Sequence, residues 1–110
     1  MDNRFIKITE EEYNALVPKR GPLTEFAALA NLKMLLFSCN RVATRNHEGE
    51  IVTLQRWEEI VSLGFLATRW RWNDDRKKVS RKLNKWKKLG FIEKRNGRKG
   101  NFIILKLAHL

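Results

Sequence analysis

The sequence predicts an α+β domain, and three observations predict it. Residues 61–110 hold 15 Lys+Arg against 3 Asp+Glu, whereas residues 1–60 hold 8 against 9. In that basic half, apolar residues recur at helical spacing through two successive stretches, Leu63–Trp70 and Val79–Gly90. They are followed by FIEKR-NGRKG-NFIILKL, two strand-forming runs around an Asn-Gly pair, which is a strong hairpin signal. Short helix, tight turn, basic helix and hairpin is the layout of a winged helix-turn-helix. The expected architecture is a three-helix core with a C-terminal β-hairpin wing, preceded by an N-terminal arm and short helix. Residues 1–22 are assigned to that arm and residues 23–110 to the winged-helix unit. With 43% hydrophobic residues, four Trp and six Phe in 110, one core can be buried without metals or disulfides.

Taken in order, Phe5-Ile6-Lys7-Ile8 reads as a short strand or extended arm. Thr9–Glu12 fits a capping box, with Thr9 at the N-cap and Glu12 reaching back, which starts a helix through about Leu16. Pro18, Gly21 and Pro22 then break the chain. The next helix starts at Leu23 or Thr24 and runs to about Asn40. Phe26, Leu29, Ala30, Leu32, Leu36 and Phe37 recur in it at helical spacing, and its aromatic and Met residues are expected to fill the core. Arg41–Glu50 reads as a polar loop. Ile51–Ser62 is rich in strand formers and reads as an extended segment with a turn near Trp57-Glu58, forming the first strand of the wing sheet. A helix over Gln55–Leu63 is the alternative.

Ser62 is a good N-cap for a two-turn helix whose Leu63, Leu66, Ala67 and Trp70 share one face. Arg71-Trp72-Asn73 makes the turn, with Trp72 placed between the two helices. Asn73 or Asp74 is expected to cap the basic helix. Asp74 and Asp75 in its first turn and Lys87-Lys88 in its last complement the helix dipole, and Gly90 ends it. Phe91–Arg95 and Asn101–Leu107 are the strands of the wing, with Asn96–Gly100 as the turn.

The basic helix segregates its side chains. Val79, Leu83, Trp86 and Gly90 share one face by their spacing. Lys77, Arg81, Asn84 and Lys88 occupy the opposite face, flanked by Lys78, Ser80 and Lys85. An α-helix fits the major groove of duplex DNA, where Arg or Lys donates to guanine and Asn pairs with adenine. Lys77, Ser80, Arg81 and Asn84 lie in the turns that meet bases and are the readout candidates. Lys85 and Lys88 are candidates for phosphate, which adds affinity without discrimination, and Lys78 is a further DNA-binding candidate on the flank. Arg95, Arg98 and Lys99 are the expected wing contacts, and Arg69 and Arg71 could also touch phosphate. The bland reading of all of these is a solvated basic face.

Other chemistries find little support. His47, His109 and the single Cys39 give no metal-ligand spacing, and Cys39 reads as a small core residue. No Ser/His/Asp set and no phosphate-cradling glycine loop is present, so neither an enzyme nor a cofactor is expected. The first twelve residues are too polar for a signal peptide, and the apolar run near Leu29–Phe37 is broken by Asn31 and Lys33, so no membrane span is expected. A lone thiol suits a reducing cytoplasm.

The residues LATRWRW, followed by KKVSRKLNKWKKLGFIEKR, resemble the N-terminal winged-helix domain of phage replisome organisers and DnaD-like replication initiation proteins. Val61-Ser62, Leu66-Ala67, Trp70, Trp72, Lys78-Val79, Leu83 and Gly90-Phe91-Ile92 fall on that family's pattern, and the likeness spans about residues 23–107. The chain departs from it at Trp57-Glu58, where a glycine is common, and in a longer interval from Trp72 to Val79. The family's C-terminal region, which would contact a helicase or loader, has no counterpart here. The resemblance implies double-stranded DNA binding in replication initiation for a phage, plasmid or mobile element. A transcriptional regulator on the same fold, or a protein-interaction module whose basic face is incidental, stays open. A homodimer and contacts with replication proteins are further open partners.

Overall fold

The computed structural model describes Thr9, Glu11, residues 20–98 and residues 102–108. Apart from Thr9 and Glu11, the expected arm over Phe5–Ile8 and the short helix through Leu16 lie outside the described residues, as do Lys99, Gly100 and Asn101. The described elements run α1 (Glu25–Ser38), β1 (Ala43–His47), β2 (Glu50–Leu54), β3 (Glu58–Val61), α2 (Leu63–Arg69), α3 (Arg76–Lys88), β4 (Ile92–Asn96) and β5 (Ile103–Leu107). The fold is a small α+β domain with antiparallel sheets.

Local chemistry sets the helix ends. Thr24 Oγ1 accepts the Ala27 N–H at 3.1 Å and starts α1, and Ser62 Oγ accepts the Phe65 N–H at 3.0 Å and starts α2. α3 ends in a Schellman motif: Gly90, at φ 82, donates to Lys87 O and Phe91 donates to Trp86 O at 2.9 Å. α2 ends the same way, with Arg71 donating to Thr68 O and Trp72 to Ala67 O. There the left-handed position is taken by Arg71, at φ 60, instead of glycine. Asn73 and Asp74 are left-handed too, at φ 51 and 57. The cap of α3 therefore falls later than the spacing predicts. Asp75, not Asn73 or Asp74, accepts the Lys78 N–H, at 3.0 Å, because the two residues before it are spent in the turn. Consequently no acidic residue occupies the first turn of α3.

Two further expectations change. Arg41–Glu50 is not a loop: Ala43–His47 pairs with Glu50–Leu54 as a hairpin turning at Glu48-Gly49, φ 50 and 83. Ile51–Leu54 therefore joins this hairpin, and only Glu58–Val61 enters the wing sheet, as the strand after the turn. The turn between them carries Trp57 at φ 67, a conformation that costs a non-glycine residue about 1–2 kcal/mol. Backbone bonds from Trp57 N to Cys39 O and from Leu107 N to Trp57 O hold it there. The three-stranded sheet has the order β3-β5-β4, all antiparallel.

That sheet is covered on both faces. On one, Val61, Leu105, Leu107 and Ile92 join Leu66, Trp70, Trp72, Val79, Leu83 and Trp86 in the main core with α1. On the other, Ile60 and Ile104 meet Val52 and Leu54 of the β1–β2 hairpin, with Phe102 closing a second, smaller core. A Cβ at Gly97 would stand 2.5 Å from the Phe102 ring, so the glycine of the Asn-Gly pair is required by this packing. On α1, Phe26 and Phe37 are exposed rather than buried, at 46% and 59%. The helix is apolar all round, and periodicity does not reveal which apolar face is covered.

The main core is organised by three tryptophans. Trp70 meets Trp72 and Trp86 edge to face, with ring centroids 5.0 and 5.7 Å apart. The indole N–H groups of Trp70 and Trp72 have acceptors. Trp72 Nε1 donates to Leu23 O at 2.8 Å, and Trp70 Nε1 donates to Asn31 Oδ1 at 3.0 Å, which also accepts from Arg69 Nε. Asn31→Leu leaves a buried indole N–H without its acceptor, at an expected loss of about 1–3 kcal/mol in urea unfolding. A loss below about 0.5 kcal/mol, the low end for a typical hydrogen bond, would show that this bond is dispensable.

Candidate nucleic-acid interface

α3 divides as its sequence implies. Val79, Leu83 and Trp86 are fully buried, while Lys77, Arg81, Asn84 and Lys88 are exposed on the opposite side. The inward residues are large and apolar, so the helix cannot rotate without opening the core. Its polar face is thereby fixed toward solvent. Lys85, Lys87 and Lys88 lie in the last turn, where they complement the helix dipole.

Each flank of this face meets another element. Toward the wing, Lys94 Nζ of β4 donates to Asn84 Oδ1 at 3.4 Å. Lys94 was not among the sequence candidates. Period-2 alternation from buried Ile92 puts it on the helix side of β4, and that was the available signal. Toward α1, Lys82 and Lys85 both donate to the Glu25 carboxylate, at 3.3 and 2.8 Å. The Lys85 ammonium, then Lys82, holds the Glu25 carboxyl below the usual carboxylate range, with desolvation working against it. The pair thus favours the fold above the ordinary carboxylate pKa, and that contribution is lost as pH falls through the lowered folded value.

Not every candidate is free to meet a ligand. Lys78 lies over the Trp72 ring, 4.4 Å from its centroid, and Ser80 is half-buried. Arg81, Lys77 and Lys88 make no ion pair among the described residues. Arg98 is exposed, and its backbone N–H donates to the Glu50 carboxylate at 3.0 Å. Lys99 lies outside the described residues. Arg69, offered by sequence as a phosphate contact, is tied to Asn31 at 2.7 Å.

Arg95, half-exposed, already has intramolecular partners. Its register partner is Ile104, on the sheet face that the β1–β2 hairpin covers. There Arg95 donates to the buried Glu58 carboxylate at 3.3 Å and to Thr53 O at 3.1 Å. The guanidinium thus pins three strands to one another and points away from the helix side of the sheet. Its missed partner, Glu58, also accepts the Gln55 N–H at 2.6 Å.

Among the described residues, no group of three or more His, Cys, Asp or Glu could hold a metal, and no helix is long and apolar enough to cross a membrane. Cys39 is half-buried rather than fully in the core. Burial first, then the neighbouring Glu59 carboxylate, pushes its thiol up.

Arg95→Ala leaves the nearly buried Glu58 carboxylate without its cation, and is expected to lower stability by about 1–3 kcal/mol in thermal or urea unfolding. An unchanged unfolding midpoint would show that the Arg95–Glu58 pair does not hold the strands together.

No family model, no curated protein and no solved structure matches this chain.

Proposed function

We propose that the chain is a winged helix-turn-helix that binds double-stranded DNA. α3 lies in the major groove, and the β4–β5 wing meets the adjacent backbone or minor groove. The observation that carries this reading is the α3 face itself. Lys77, Arg81, Asn84 and Lys88 stand exposed, directly opposite a fully buried face of Val79, Leu83 and Trp86. Support comes from the order β3-β5-β4 beside the α2–turn–α3 pair, which places a hairpin next to the basic helix as a wing requires. A net charge of +11, concentrated in the half that holds α3 and the wing, supplies the field that draws a polyanion.

Roles divide by chemistry. Arg81 reaches for the acceptor edge of guanine, and Asn84 for adenine once Lys94 releases it. Lys77 and Lys88 neutralise phosphate, with Arg98 and Lys94 on the wing side. The role in replication initiation of a phage, plasmid or mobile element rests on the resemblance carried by Leu66-Ala67, Trp70, Trp72, Lys78-Val79 and Gly90-Phe91-Ile92.

A salt titration tests the reading. Affinity for a duplex should fall by orders of magnitude between about 50 and 200 mM salt, as for a protein neutralising several phosphates. Arg81→Ala should relax sequence preference, at about 1–3 kcal/mol for the preferred site, while Lys88→Ala should weaken all sequences alike. Undetectable duplex binding at about 50 mM salt, where the electrostatic contribution is strong, would rule out DNA binding and favour a protein-docking role.

A further inference from the structure

Glu25 stands on the edge of the α3 face and does something the fold alone does not require. It is the first residue of α1, far from α3 in sequence, yet one of its oxygens accepts from Lys85 Nζ at 2.8 Å and the other from Lys82 Nζ at 3.3 Å. An anion gripped through two oxygens by two ammonium groups is the arrangement a backbone phosphate would adopt on the same lysines. The contact is open: the side chains of Glu25 and Lys85 are 38% and 52% exposed. Ion pairs of that exposure contribute little to stability, so an anion arriving from solvent can replace the carboxylate at small cost.

The position is as informative as the geometry. On the wing flank of α3, the partner of Asn84 is a cation, Lys94. On the other flank the partner of Lys82 and Lys85 is an anion. Among the described residues, Glu25 is the acidic group that forms ion pairs with the middle and last turns of α3. The exposed cations between these flanks, Lys77, Arg81 and Lys88, have no such partner among the described residues.

We propose that Glu25 is a built-in competitor for DNA phosphate at the Lys82–Lys85 flank of α3. A phosphate that reaches these lysines must displace the carboxylate. Glu25 therefore weakens binding to every sequence alike and sets where the phosphate footprint ends on the α1 side. This inference rests on the DNA-binding reading given above.

The test uses the full chain and a labelled random-sequence duplex, titrated across salt. Glu25→Gln keeps the shape and removes the charge. Its affinity should rise about 3- to 10-fold at the lowest salt, and the slope of log affinity against log salt should steepen by about one, the increment for one more neutralised phosphate. Lys85→Gln should cost little in the parent and several-fold in the Glu25→Gln background. A Glu25→Gln protein with the parent's affinity and slope overturns the proposal, and so does a Lys85→Gln loss of equal size in both backgrounds. Circular dichroism reports whether Glu25→Gln is folded. If it is not, Lys85→Gln and Lys88→Gln are compared in the parent: a smaller loss at Lys85 is expected, and equal losses overturn the proposal. Absence of salt-dependent binding by the parent itself is a different result. It overturns the DNA reading, and the competitor with it.

Discussion

The Trp70–Trp72–Trp86 cluster is the constraint on which the rest depends. It joins the end of α2, the turn and the last turns of α3 through edge-to-face contacts. Each of these rings is too large to be replaced by neighbours if it leaves, and truncating a buried tryptophan typically costs about 3–5 kcal/mol. Both indoles of the turn donate to α1 or the residues just before it, so the same cluster fixes α1 against the helix pair. The left-handed Arg71 follows from this demand. Trp72 swings back onto Trp70 through a Schellman turn in which the Trp72 N–H donates to Ala67 O and Arg71 takes the left-handed position. The rotation of α3, and so the direction of its basic face, is inherited from these rings.

Charge on this surface is allocated, not merely accumulated. The formal excess of +11 suggests a uniformly available basic patch, but the side chains have distinct commitments. Arg95 is spent on Glu58, Arg69 on Asn31, and Lys78 on Trp72. Lys82 and Lys85 share one carboxylate. On the exposed face of α3, Lys77, Arg81 and Lys88 make no ion pair among the described residues. These cations are held in register because the helix that carries them buries Val79, Leu83 and Trp86.

Much of this was legible in the sequence, for reasons that can be named. The α2 and α3 spacings, the Ser62 cap and the Gly90 stop are local signals, and tertiary packing agrees with them. The inward residues Val79, Leu83 and Trp86 followed from helical period alone. The β1–β2 hairpin did not. Its first strand, ATRNH, faces the sheet with small or charged residues, and the apolar partners Val52 and Leu54 all lie on the second strand. Its turn is made by Glu48-Gly49, not by a pair that signals a hairpin. The Arg95 bonds to Glu58 and Thr53 O were hidden for the same reason: they join β4 to strands whose pairing is not local. Phe26 and Phe37 misled because α1 is apolar on every side.

The pairing of β3 with β5 has a kinetic meaning. Val61 and Ile103 are register partners, and everything between them, α2, the turn, α3 and β4, forms one long closed segment. The entropy lost in closing such a segment has to be offset before the strand pair contributes, which slows formation of non-local contacts. A helix pair already held by its tryptophans shortens the effective loop, because it brings β4 and then β5 back toward Val61. The β1–β2 hairpin depends on the same closure, because Val52 and Leu54 pack on Phe102 and Ile104, so its apolar floor comes from the far end of the chain.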